Sequence, residues 1–258
     1  MHEAGNQRRM ILYAATSNPG KLREFATSAS SAGIDVLALP GLKGIPEPVE
    51  DAPTFMGNAE LKAVAYSLAA PGLFVFTDDS GLEVDALHGE PGVRSARYAD
   101  DAGFTGIWDL ANSHPIPSPR SSSGAPAESH GEHTPGAPHL ASEMWVSTAA
   151  PDSKDDRNNA LLLQRLHALP ADTPRSARFV CALALARDGH LLLRAHGTVE
   201  GQILDTPRGA NGFGYDPLFL IPSLGLTTAE LPADQKWSLS HRGQAFRSLL
   251  AEIAASGI

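Results

Sequence analysis

Asp78, Asp79 and Ser80 directly follow Leu73-Phe74-Val75-Phe76-Thr77, a continuous β-prone apolar run of the kind that forms a buried central strand. Carboxylates at the C-terminal end of such a strand lie where open α/β sheets place their ligands. A hard cation such as Mg2+ would take one or two of them as oxygen ligands and share itself with substrate phosphates. A polar turn capping the strand is the plainer reading of the same residues. Glu50, inside the proline-punctuated stretch 40–53, is a further oxygen donor, although solvated loop glutamates are common. Upstream, Thr16-Ser17-Asn18-Pro19-Gly20-Lys21 separates a short apolar run from Leu22, Phe25 and Ala26, which recur at helical spacing. Backbone N–H groups and the positive helix end would face an anion there, and Lys21 adds a mobile charge suited to a triphosphate. The loop lacks the Walker A pattern, and a capping turn with a solvated lysine also explains it.

Two later segments supply complementary groups. Gly212-Phe213-Gly214-Tyr215-Asp216 offers aromatic faces for a base and glycines that permit close backbone approach. Lys236 and Ser240-His241-Arg242 add positive charge and donors for phosphate or a base carbonyl, or simply surface charge. A zinc site on His114, His130, His133 and His139 is disfavoured, because the Gly and Pro around them supply no helix to fix their geometry and no thiols accompany them.

The elements that must position these groups follow from periodicity. Strands are predicted at 11–15, 34–39 and 73–77, with the last stopping at the two acids. Thr54 caps a helix whose stripe is read through Asn58, Ala59, Leu61, Ala63, Val64 and Leu68 and which ends at Pro71-Gly72. Leu161, Leu162, Leu166 and Leu169 mark another helix. A strand pair at 178–186 and 191–201 is joined by a hairpin at Asp188-Gly189. A short strand at 217–221 and a helix over about 242–255 complete the chain. Between about 102 and 155, Pro, Ser, Gly, Ala and His crowd out apolar residues, so this stretch reads as a disordered, solvent-exposed insertion within one domain spanning 1–258, preceded by a polar tail at 1–9.

Composition bounds the possibilities. Hydrophobic residues make up 42% of the 258 residues, enough for a sizeable core. Lys and Arg total 20 against 29 for Asp and Glu, a formal charge of -9, so no net-charge attraction to nucleic acid or an anionic membrane is expected. The single cysteine, Cys181, cannot form an intramolecular disulfide and favours a reducing compartment. The polar start lacks the apolar region of a signal peptide, and no apolar run approaches the ~20 residues that span a bilayer. A soluble, cytoplasmic protein is expected.

Taken in order, Thr16-Ser17-Asn18-Pro19-Gly20-Lys21, Glu50 with Thr54-Phe55 and Asn58-Ala59, Asp78-Asp79-Ser80-Gly81-Leu82-Glu83-Val84, Pro91-Gly92-Val93, Ser95-Ala96-Arg97-Tyr98, Phe213-Gly214-Tyr215-Asp216-Pro217 and Lys236 with Ser240-His241-Arg242-Gly243 closely resemble the ITP/XTP pyrophosphatase family. The resemblance covers the chain outside the tail and the insertion. It implies an α/β fold of two lobes around a long, mixed, twisted sheet flanked by helices, usually a homodimer, with substrate in the cleft between lobes. It also implies hydrolysis of noncanonical purine nucleoside triphosphates (ITP, dITP, XTP) to the monophosphate and pyrophosphate. In such enzymes the acid matching Asp79 is the proton acceptor and, with the glutamate matching Glu50, helps bind Mg2+. Thr16, Ser17, Asn18, Pro19, Gly20 and Lys21 would hold the phosphates and Ser80 would contact substrate. Phe213, Gly214, Tyr215, Asp216, Lys236, His241 and Arg242 would complete the nucleotide site. Arg242 carries donors and no acceptor, so it would satisfy the 6-oxo group of inosine or xanthine and meet the 6-amino group of adenine as donor against donor. Guanine also has a 6-oxo group, so its rejection must arise elsewhere.

Two other functions compete with that reading. A related pyrophosphatase for modified pyrimidine triphosphates would share the fold, but the aromatic run together with Ser240-His241-Arg242 argues against it. A noncatalytic nucleotide sensor, or a scaffold recruiting a partner through the insertion, is disfavoured by the retention of both Asp79 and Glu50.

Overall fold

A computed structural model describes residues 9–105 and 153–258. The tail before residue 9, most of the expected insertion and the histidines His114, His130, His133 and His139 lie outside the described residues. A seven-stranded mixed sheet runs in the order β2-β1-β3-β4-β5-β6-β7. Its strands are β1 (Met10–Ala14), β2 (Ile34–Ala38), β3 (Val75–Val84), β4 (Ser176–Arg187), β5 (His190–Ile203), β6 (Phe219–Ile221) and β7 (Leu226–Thr227). β1 lies parallel to both neighbours, and every pairing from β3 onward is antiparallel. The helices are α1 (Pro19–Ala29), α2 (Phe55–Ala69), the single turn α3 (Tyr98–Asp101), α4 (Lys154–His167), α5 (Ala233–Leu239) and α6 (His241–Ser256).

Side-chain alternation along β4 decides what packs on each face. Cys181, Leu183 and Leu185 meet α1 and α6, whereas Ala182, Ala184 and Ala186 face α2 through Phe55, Ala59 and Ala63. Phe25 on α1 anchors the first face, with its ring 5.1 Å from Phe76 and 4.9 Å from Phe246. Phe25→Ala should cost roughly 3–5 kcal/mol, the usual penalty for emptying a fully buried aromatic site. Urea denaturation checks this, and a loss below about 1 kcal/mol would mean the site collapses around the gap. A separate core, with Leu82, Phe179, Phe219 and the α4 residues Leu161 and Leu162, fills the other end of the long strands and makes the second lobe.

The local signals placed most elements well. Asn18 caps α1, accepting from the backbone N–H groups of Gly20 and Lys21, and Thr54 caps α2 by accepting from Gly57. The β4–β5 hairpin turns on Asp188 and Gly189, with φ of 52° and 78°, the paired positive values of a tight primed turn.

Two expectations require correction. β3 does not stop at Asp78-Asp79: it continues to Val84, because β4 pairs with it in unbroken register from Val75 to Val84. What ends there is β1, whose pairing with β3 stops at Phe76, so that edge of β3 has no strand partner until segment 90–95 closes over it, where the Leu82 N–H donates to Ser95 Oγ at 2.8 Å and the Val84 N–H to the Glu90 carbonyl at 3.1 Å. The buried stripe of α2 is also displaced. Leu61 and Leu68 are exposed, and the face against the sheet carries Phe55, Asn58, Ala59, Lys62, Ala63, Tyr66 and Ser67.

Candidate active site

Because successive strand residues point to opposite faces, β3 sends its two acids in different directions. Asp78 and Ser80 share the α1/α6 face, and Asp79 shares the α2 face with Thr77, whose hydroxyl donates to the Ala59 carbonyl at 2.6 Å.

On the first face, Lys21 Nζ lies 2.6 Å from Asp78 and 3.4 Å from Ser80 Oγ. Burial opposes ionisation of Asp78, but Lys21, with Arg242 and Lys62, outweighs it and holds the carboxyl at about 2. Arg242 donates to Glu24 on α1 at 2.9 Å and to Ser80 Oγ at 3.5 Å. Its Nε is buried without a partner among the described residues. The Phe213 ring closes this side, its centroid 5.3 Å from both Lys236 Nζ and Arg242 Cζ. Asp216 organises the loop: one oxygen accepts from Lys236 at 2.5 Å and from the Phe213 N–H at 2.8 Å, and the other accepts from Thr228 at 2.8 Å.

On the second face, Lys62 reaches both Glu50, at 3.3 Å, and Asp79, at 3.4 Å. Burial disfavours its charge, yet Asp79, Asp78 and Glu50 raise it above the ordinary lysine value. Asn58 donates to Asp79 at 3.2 Å and accepts from the Ala52 N–H at 3.0 Å, so one buried amide ties the Glu50 loop to the strand acid. Burial raises the Asp79 carboxyl above its ordinary range, and Glu50 and Asp78 add to the rise against Lys62 and Asn58. Both carboxylates already share one cationic group, which is the chemistry a divalent ion on Glu50 and Asp79 requires.

His241 is the first residue of α6 and stacks on Phe179 with centroids 4.9 Å apart. Burial, reinforced by Arg242, Lys236 and Lys21, pushes its pKa well below the ordinary 6.5, and Nδ1 has no partner among the described residues. The fold therefore holds a neutral imidazole, while the unfolded chain takes up a proton once the pH drops below about 6.5. Stability should fall through that window by up to about 1.4 kcal/mol per pH unit. Urea titrations at pH 7.5 and 5.5 check this, with a flatter dependence expected for His241→Gln and an unchanged one assigning the loss elsewhere.

The residues expected at the site thus converge on β3 around 78–80, between the end of β1 and segment 90–95: Lys21, Ser80, Phe213, Lys236, His241 and Arg242 on one side of the strand, Glu50 and Asp79 on the other. Asn18 serves as the α1 cap beside them, with Thr16 Oγ1 accepting from its N–H at 3.2 Å. Tyr215 is placed differently from an open base-stacking face. It is buried in the second core, and its hydroxyl donates to the Ser95 carbonyl at 2.9 Å. Sequence reasoning assigned no role to Lys62, Glu24 or the amide of Asn58. A lysine and an asparagine on the face of α2 that also carries Ala59 and Ala63 were the available signal, since a buried charge on a helix requires partners.

The sequence model of the Ham1 family matches residues 12–118 and 132–252. The chain belongs to the Ham1 family. The dITP/XTP pyrophosphatase of Acidobacterium capsulatum is 42% identical over 244 residues, covering 95% of this chain and 98% of that protein. That of Exiguobacterium sp. strain AT1b is 41% identical, covering 95% of this chain and 97% of that protein. The solved HAM1 protein from Coxiella burnetii aligns with a TM-score of 0.68 at 30% identity, over 95% of this chain and 99% of its own. Ham1 membership agrees with the mixed α/β sheet described above. Of the stretch expected to be inserted, 119–131 lies outside the family match and 102–118 and 132–155 lie within it.

Proposed function

We propose that this Ham1 protein is a dITP/XTP pyrophosphatase, converting noncanonical purine nucleoside triphosphates and water to the monophosphate and pyrophosphate. The observation that carries the reading is the division of β3: cationic and donor groups for a nucleotide on one face, an acid with raised pKa on the other, and between them the short stretch of strand edge that lies past β1 and before segment 90–95. A triphosphate crossing that edge would present its phosphates to Lys21 and Ser80 and bring its α-phosphorus toward Asp79.

In this reading Asp79 accepts the proton of the attacking water, a role suited to a carboxyl whose pKa lies above the ordinary range. Lys21 and Lys62 neutralise charge developing on the phosphates. Glu50 and Asp79 would hold a divalent cation, Mg2+ in this reading, which would supply further neutralisation of the phosphate oxygens. Phe213, with Lys236, His241 and Arg242 around it, takes the base. The assembly we propose is a homodimer in the cytoplasm. A net charge of -9 gives no attraction to nucleic acid or an anionic membrane, and among the described residues no helix is long and apolar enough to cross a membrane.

Product analysis tests the proposal. Purified protein with Mg2+ should release pyrophosphate, not orthophosphate, from ITP and XTP and little from GTP, ATP or dTTP. Preference for dTTP would transfer the assignment to pyrimidine nucleotides. Nucleotide binding without turnover would make the protein a sensor.

A further inference from the structure

We propose that Asp155 and Asn159 on α4 are positioning residues for the nucleotide site, fixing Phe213 by gripping both backbone polar groups of Gly214. This rests on the reading of Phe213 as the wall of the base pocket. The Gly214 N–H donates to Asp155 Oδ2 at 2.7 Å, and the Gly214 carbonyl accepts from Asn159 Nδ2 at 3.0 Å. Four residues apart, the two side chains share one face of α4 and close on the loop together.

The loop needs such a grip. Phe213 is 36% exposed, so core packing does not set its position. Gly212 and Gly214 flank it with φ of 84° and 63°, conformations that glycine adopts without imposing them. Asp216 fixes the Phe213 N–H from within the loop, and the contacts to Gly214 come from outside it. The anchor itself is rigid. A reciprocal cap between Ser153 and Asp156 starts α4, buried Asn158 accepts from the Ala99 N–H at 2.9 Å, and Leu161 and Leu162 sit in the second core. Losing both contacts would spread the loop over conformers that misplace the ring. Apparent affinity falls in proportion to the competent fraction, while the phosphate chemistry at Asp79 proceeds as before.

The experiment compares the parent with Asp155→Ala/Asn159→Ala and with Asp155→Asn, measuring ITP hydrolysis in Mg2+ and deuterium uptake of segment 212–216. The double variant should raise KM for ITP about tenfold with kcat within about twofold, and should speed exchange at 212–216. Asp155→Asn keeps an oxygen that accepts from the Gly214 N–H and should stay near the parent in both readouts. If Asp155 acts only through its charge at the start of α4, Asp155→Asn behaves like a loss of the residue and the proposal fails. Unchanged KM or unchanged exchange in the double variant overturns it as well. A parent that leaves ITP intact would count against the proposed function instead, and the exchange data would still judge the grip on Gly214.

Discussion

Asp79→Asn should lower kcat for ITP by about two orders of magnitude or more while the protein remains folded. The amide accepts no proton from water and is a poor ligand for a hard cation, so both proposed roles vanish together. Folding should tolerate the change, because burial makes ionisation of Asp79 harder in the native state than in the unfolded chain. The attraction of Asp79 for Lys62 offsets that penalty only in part, and Lys62 keeps Glu50 as a partner at 3.3 Å when Asp79 loses its charge. Its neighbour gives the contrasting result. Asp78 drops from 3.8 to about 2 on folding, so its ionised form favours the native state by on the order of 2 kcal/mol at pH values above 3.8, a contribution lost as pH falls toward about 2. Asp78→Asn should lower the Tm, where Asp79→Asn leaves it unchanged or higher. Thermal melts beside steady-state kinetics separate the two. Near-normal turnover in Asp79→Asn would remove Asp79 from the mechanism.

That two adjacent acids have opposite energetic roles was not legible in the sequence, although their importance was. Polar residues from Asp78 onward interrupt the apolar run and predict that the strand stops there, but a long antiparallel partner carries it to Val84 regardless. Strand pairing satisfies the backbone whatever the side chains are, so the break in the apolar run marks where β3 passes from the first core through the buried acids to the second core, not where it ends. The same limit applies to α2. Leu61 and Leu68 look like core residues by type, but the face turned to the sheet is set by Phe55, Ala59 and Ala63 against the small side chains of β4, and Lys62 is carried inward with them. The cap at Thr54 and the turn at Asp188-Gly189 are legible in the sequence because their physics is local. The contacts of Arg242 with Glu24, and of Asn159 with Gly214, join residues distant in the chain and leave no periodic trace.

Arg242→Gln should collapse discrimination between ITP and ATP by about a hundredfold, mainly through a lower kcat/KM for ITP. The buried guanidinium is held by Glu24 at 2.9 Å and, among the described residues, keeps Nε without a partner beside the Phe213 ring. A group with donors alone satisfies a 6-oxo acceptor and opposes a 6-amino donor, whereas a carboxamide offers both and would penalise adenine less. Arg242→Lys, still a donor without acceptors, should slow ITP turnover and retain the preference for ITP. Breaking the pair with Glu24 also carries a folding cost, because a carboxylate is left without its cation in a partly buried position. The double variant Glu24→Gln/Arg242→Gln removes that lone charge and separates recognition from stability. If it recovers Tm but still treats ITP and ATP alike, Arg242 reads the base. If Arg242→Gln remains folded and still rejects ATP as strongly as the parent, base selection must reside in the other groups around Phe213, with His241 and Lys236 the next side chains to exchange.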